Sequence, residues 1–141
     1  MAAVTVSRQF GSLGTQVARI VGQRLGWRVV WRELINQAAR DAGVPEVALA
    51  TIDDLGLLGL RPSPQAQRAY HAAVEAVVQR LADAGDVVIV GRAGQAILHG
   101  RPDVLHVQII APAACRAARV AESQGIPLAA AQAQVEASDR A

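Results

Sequence analysis

Short runs of branched apolar residues alternate along this chain with longer segments whose apolar positions recur every three to four residues. Four of the runs predict strands: 4–7, 28–31, 86–91 (DVVIVG) and 104–110 (VLHVQII). The last two lack apolar–polar alternation, as expected of strands covered on both faces. Helical spacing covers 15–25, 32–42, 46–55, 64–84, 112–124 and 128–140. In the first of these, Val17, Ile20, Val21 and Leu25 share one face, and Gly26 suits the helix end. Residues 55–64, LGLLGLRPSP, are rich in Gly and Pro and predict a loop.

Strands alternating with helices predict an α/β fold of three layers, a mostly parallel sheet with helices on both faces. At 141 residues, one domain spanning 1–141 is expected. The helical pattern is still running at Arg140. A sheet of this type normally closes with a fifth strand, so the sequence is expected to be a C-terminally shortened form lacking it. An open apolar sheet edge then predicts pairing of two copies as a homodimer.

Composition adjusts this picture in three ways. Hydrophobic content is 52% with only 3% aromatic residues, so aliphatic side chains and Ala must fill the core. The formal net charge is only +2, with no basic run and no aromatic–basic alternation, which gives no support for a nucleic-acid partner. All 14 basic residues are Arg. Any phosphate contact from a cationic side chain must therefore come from a planar guanidinium fork, not from an ammonium. The lone Cys115 cannot form an internal disulfide, which fits a reducing, cytoplasmic setting. Its Ala-rich helical surroundings predict a buried, inert thiol. No apolar run approaches the ~18 residues of a bilayer span, and the N-terminus lacks the order of a signal peptide; no membrane partner is expected.

The most informative stretch is the junction between the first strand and the first helix. Strand, glycine loop and helix start together form a geometry suited to phosphate, because the first N–H groups of a helix lack internal partners and glycines let backbone approach an anion. Within Ser7-Arg8-Gln9-Phe10-Gly11-Ser12-Leu13-Gly14-Thr15-Gln16, the candidate phosphate-binding residues are Arg8, Gly11, Ser12, Gly14, Thr15 and Gln16. The hydroxyl of Ser12 or Thr15 is the candidate ligand for Mg²⁺. The loop is not a full G-x-x-x-x-G-K-S/T motif, since no lysine follows the glycine. The plainer alternative is an ordinary βα turn whose glycines serve packing, and the bulky Leu13 favours it. A dinucleotide site would need G-x-G-x-x-G, which Gly11-x-x-Gly14 does not supply.

Other constellations are weaker. Gly91-Arg92 lies at the carboxyl end of the third strand, where ligands sit in open α/β sheets; Arg92 there either grips a phosphate bidentately or caps the strand end. Arg116 and Arg119, at i and i+3, share a helix face. They either neutralise charge in phosphoryl transfer or form a solvated surface. Asp53-Asp54 could bind a metal, although helix-end solvation accounts for them equally simply. His71, His99 and His106 show no metal-ligand spacing.

These motifs, in this order, resemble the cytidylate kinase-like family, a branch of the P-loop nucleoside monophosphate kinases, over nearly the whole chain. Val6-Ser7-Arg8-Gln9-Phe10-Gly11-Ser12-Leu13-Gly14 is similar to the family's opening I-S-R-x-x-G-S-G-G, and Arg32-Glu33-Leu34-Ile35 to its R-E-L-I. Val90-Gly91-Arg92 is similar to its G-R at the third strand, and Ile110-Ala111-Pro112 with Arg116 and Arg119 to its fourth strand and arginine-bearing helix. Ser138-Asp139-Arg140 is similar to the D-R beyond the lid. The resemblance implies a P-loop NTPase-type sheet of strand order 2-3-1-4. It implies phosphoryl transfer from ATP with Mg²⁺ to CMP or dCMP. Arg32 and Arg92 would then hold the acceptor, and Arg116, Arg119 and Arg140 would neutralise the transferred group. Three positions depart from the family: Leu13 replaces Gly, Trp31 replaces Asp, and Ala93 replaces Asp after the G-R pair. Two functions therefore stand side by side, a nucleoside monophosphate kinase and a non-catalytic nucleotide-binding or scaffold module with a degenerate loop.

Overall fold

A computed structural model describes residues 2–41, 64–91 and 93–140. The helix expected at 46–55, Asp53-Asp54, the loop expected at 55–64 as far as residue 63, and Arg92 lie outside the described residues. Four strands, β1 (Ala3–Arg8), β2 (Arg28–Val30), β3 (Val87–Val90) and β4 (Val104–Ile109), form one sheet in the order β2-β3-β1-β4. Every pairing is parallel, with Ala3 opposite both Val87 and Val104, and Arg28 opposite Val87. The expected order 2-3-1-4 is the observed one.

The described helices are α1 (Gly14–Leu25), α2 (Arg32–Asp41), α3 (Pro64–Ala84), α4 (Gly94–Ile97), α5 (Ala113–Gln124) and α6 (Leu128–Arg140). The period-two pattern of the central strands divides the core. Ala3, Val87 and Ile89 pack with Ile35 of α2 and with Tyr70, Val74, Val77 and Val78 of α3. Val4, Val6, Val88 and Val90 face the other way, against Ala18 of α1. β3 is buried at every position, which explains why 86–91 reads as an unbroken apolar run. A third cluster, Ala117 and Val120 with Ala131 and Val135, joins α5 to α6.

Two expectations change, and one short helix joins those expected. The run 104–110 was expected to be covered on both faces. Instead no position of β4 is fully buried, and Leu105 within it is 63% exposed; the strand lies at the sheet edge, as the order 2-3-1-4 requires. The short helix α4 carries too few residues for a periodic signal. Cys115 is exposed, not buried; the Ala-rich pattern around it leaves that side of α5 to solvent. No helix among the described residues is long and apolar enough to cross a membrane.

Candidate functional site

β1 ends where the loop begins, and the loop's backbone is bent to a form that side chains resist. Gly11 has φ +79° and Leu13, the residue capping α1, has φ +64°. Positive φ is free for Gly11 but costs an L-residue such as Leu13 about 1–2 kcal/mol. Glycine would suit this left-handed backbone, which Leu13 holds under strain. Its side chain is 45% exposed.

The loop's N–H groups are partly committed. Ser12 N–H donates to the Gln9 carbonyl at 3.2 Å, and Gly14 N–H to the buried Ser12 hydroxyl at 3.2 Å. The N–H groups of Gly11, Leu13, Thr15 and Gln16 find no acceptor among the described residues. Those four amides, at the positive end of the α1 dipole, are what an anion would meet.

Helix α5 braces the loop from behind. A Cβ on Gly11 would stand 3.0 Å from the Arg116 carbonyl oxygen and 3.1 Å from Val120 Cγ2, so glycine permits the close approach. Arg119 Nη1 donates to the Gly11 carbonyl at 3.4 Å. Arg116 donates a long 3.5 Å bond to the Phe10 carbonyl and a 2.8 Å bond from Nε to the Ala111 carbonyl. Its two terminal nitrogens each donate to one carboxylate oxygen of Asp139, both at 2.9 Å. Arg116 is only 3% exposed. Expected among the charge-neutralising arginines, it is turned inward, with its guanidinium bonded to protein. The guanidinium holds the Asp139 carboxyl below the usual carboxylate range, chiefly through this hydrogen bonding.

Two cavities flank the strand ends. The first, about 470 Å³, is lined by residues 8–16, by Arg119, Val120, Ser123 and Gln124 of α5, and by Ser138 of α6. The second, about 640 Å³, is lined by Arg8, Thr15, Arg19, Trp31, Arg32, Glu33, Val90 and Gly91. Thus Arg8, Gly11, Ser12, Gly14, Thr15, Gln16 and Arg119 surround one cavity, and Arg32 lines the other. Arg140 lines neither; it is exposed and pairs with Glu136 one turn away at 3.5 Å. Sequence reasoning passed over Arg19, which is i+4 from Thr15 on α1 and lies 5.0 Å from the centroid of the Trp31 ring. That spacing was the available signal. Trp31, noted only as a departure from a carboxylate, is part of the same wall.

The donor set fits a divalent cation that arrives already bound to phosphates. Among the described residues no group of three His, Cys, Asp or Glu side chains could hold a metal. Ser12 Oγ is buried and accepts from Gly14, leaving Thr15 Oγ1, which accepts from Arg8 Nε at 3.2 Å, as the accessible hydroxyl. One hydroxyl with phosphate oxygens and waters is a familiar Mg²⁺ environment.

A four-stranded parallel sheet in this order, with a glycine loop opening the helix after β1, is a kinase-type nucleotide-binding fold. The model of the cytidylate kinase-like family matches residues 3–141, and the chain belongs to that family. No curated protein matches it. Among solved structures it is similar to an uncharacterized protein from Eubacterium ventriosum, with TM-score 0.74 and 19% identity over 99% of this chain and 72% of that one. TT1252 from Thermus thermophilus aligns with TM-score 0.57 and 19% identity, over 99% of this chain and 78% of that one. A gluconokinase from Sinorhizobium meliloti aligns with TM-score 0.55 and 18% identity, over 96% of this chain and 73% of that one.

Proposed function

We propose that the chain is a nucleoside monophosphate kinase that transfers a phosphoryl group from ATP·Mg²⁺ to CMP or dCMP. The observation that carries this reading is the pair of cavities: one bounded by uncommitted loop amides, the other by guanidinium groups at the strand ends. Donor phosphates lie on the amides of Gly11, Leu13, Thr15 and Gln16, with Arg119 beside them. Thr15 Oγ1 is the hydroxyl offered to Mg²⁺, which offsets phosphate charge when bound. The acceptor monophosphate lies in the second cavity near Arg19 and Arg32. An oxygen of that monophosphate attacks the γ-phosphorus, the bond to the β–γ bridging oxygen breaks, and its electron pair leaves on ADP. The attacking oxygen is already anionic, so no general base is required, and catalysis is positioning plus electrostatics. Arg116 acts as a positioning residue that holds the loop against α5 and α6.

One observation favours the second reading, a nucleotide-binding module without turnover. Two loop amides are already bonded within the protein, and Leu13 occupies a strained position beside the others. Calorimetry with ATP·Mg²⁺ and with CMP, followed by a coupled assay of ADP release, separates the two. Binding with CMP-dependent turnover supports the kinase; binding alone supports the module; binding of neither nucleotide rejects both.

A further inference from the structure

We propose that Arg8 spans the two cavities and supplies the phosphate charge that a lysine supplies in a full G-x-x-x-x-G-K-S/T loop. This rests on the kinase reading above and deepens it. Arg8 is the last residue of β1, so its backbone is fixed by the sheet, opposite Ile109. Its stem lies across the first residue of α1: a Cβ on Gly14 would collide with Arg8 Cβ and Cγ. Nε donates to Thr15 Oγ1, and Nη1 stands 3.1 Å from where a Cβ on Gly91 would be. The guanidinium therefore reaches from the loop to the carboxyl end of β3.

The side chain is also uncommitted. Among the described residues its one hydrogen bond is to Thr15, and no carboxylate pairs with it. That leaves the terminal N–H groups for a ligand. Among the described residues, only Arg8 and Thr15 line both cavities; Arg119 faces the donor side alone and Arg19 the acceptor side alone. Charge in phosphoryl transfer spreads over the equatorial oxygens of the group passing between donor and acceptor. A planar fork can donate to two oxygens at once, a geometry that an ammonium does not offer. The absence of lysine from the chain is thereby met from the strand side of the loop instead of the helix side.

The test is isothermal titration of ATP·Mg²⁺ and of CMP, each alone, onto the full chain as wild type and as Arg8→Gln, Arg8→Lys, Arg119→Gln and Arg19→Gln. The expected result is that Arg8→Gln raises both dissociation constants roughly tenfold or more, the usual scale for a charge-assisted hydrogen bond. Arg119→Gln should raise the ATP value alone and Arg19→Gln the CMP value alone, while Arg8→Lys recovers part of the loss on both sides. If the wild type binds both nucleotides and Arg8→Gln moves one value or neither, the inference is overturned, while the kinase reading is decided separately by the turnover assay. If the wild type binds neither nucleotide, the inference and the kinase reading fall together; if it binds only one, the inference is overturned. Circular dichroism checks folding; should Arg8→Gln be unfolded, Arg8→Lys decides, with weakening of both ligands upholding the inference and any other pattern overturning it.

Discussion

Asp139, near the end of α6, receives both terminal nitrogens of Arg116 at 2.9 Å, while the same guanidinium reaches the carbonyl of Phe10 in the loop. One buried cation thus ties the last described helix to the glycine loop. Asp139→Asn should leave that cation without its counter-charge and lower the melting temperature more than any other surface substitution on α6. Replacing both partners, Arg116→Met with Asp139→Leu, should recover part of the loss, because an unpaired buried charge costs more than an apolar pair. Thermal melts of the three variants check this.

The same pair sets a pH dependence. The folded pKa of Asp139 is depressed below its unfolded value near 3.9. Its contribution is therefore present above about pH 4 and is lost as pH falls through the folded value. Melting temperature measured from pH 7 down to pH 2.5 should drop more steeply for the wild type than for Asp139→Asn.

Leu13→Gly relieves the left-handed strain at the head of α1. Glycine's greater freedom in the unfolded chain offsets part of the gain, so the net expectation is a stabilisation of up to about 1 kcal/mol. Urea unfolding should show a higher midpoint at unchanged slope. ATP·Mg²⁺ binding should tighten in parallel, since the isobutyl group no longer lines the first cavity.

Gly22→Ala tests the packing of α1 on the sheet. In an open helix this change would stabilise by roughly 1 kcal/mol. Here the new Cβ would collide with Val29 Cγ2 and crowd the Trp27 carbonyl at 3.2 Å. Overpacking of about 1–3 kcal/mol should prevail, seen as a lower urea midpoint.

Thr15→Val removes the hydroxyl that accepts from Arg8 Nε. ATP binding should weaken about tenfold in the presence of Mg²⁺ and far less in its absence, with Thr15→Ser near wild type. Titration of Mg²⁺ against nucleotide affinity makes the measurement.

Much of this architecture was legible in the residues. β3 announced itself because a doubly covered strand leaves no polar position, and α3 because its 21 residues carry several turns of periodic apolar contact. The apolar run of β4 misled, because strand-forming side chains look alike whether or not helices cover the two faces of the strand. At the site, loop and strand ends could be placed from glycine and arginine positions, but side-chain direction could not. Arg116 and Arg119 are three residues apart, which leaves them about 60° apart around the helix at 3.6 residues per turn. That angle suffices to bury one against Asp139 and leave the other at the cavity. The wall that Arg19 and Trp31 give the second cavity depends on β2 and α1 packing together, a contact that no spacing within one element encodes.

Among the described residues, the cations around the two cavities are the guanidinium groups of Arg8, Arg19, Arg32 and Arg119, with no ammonium beside them. Acylating reagents that silence amines find no side chain to modify in a sequence without lysine, whereas vicinal dicarbonyls, which condense with guanidines, should block the cavities and be held off by bound nucleotide.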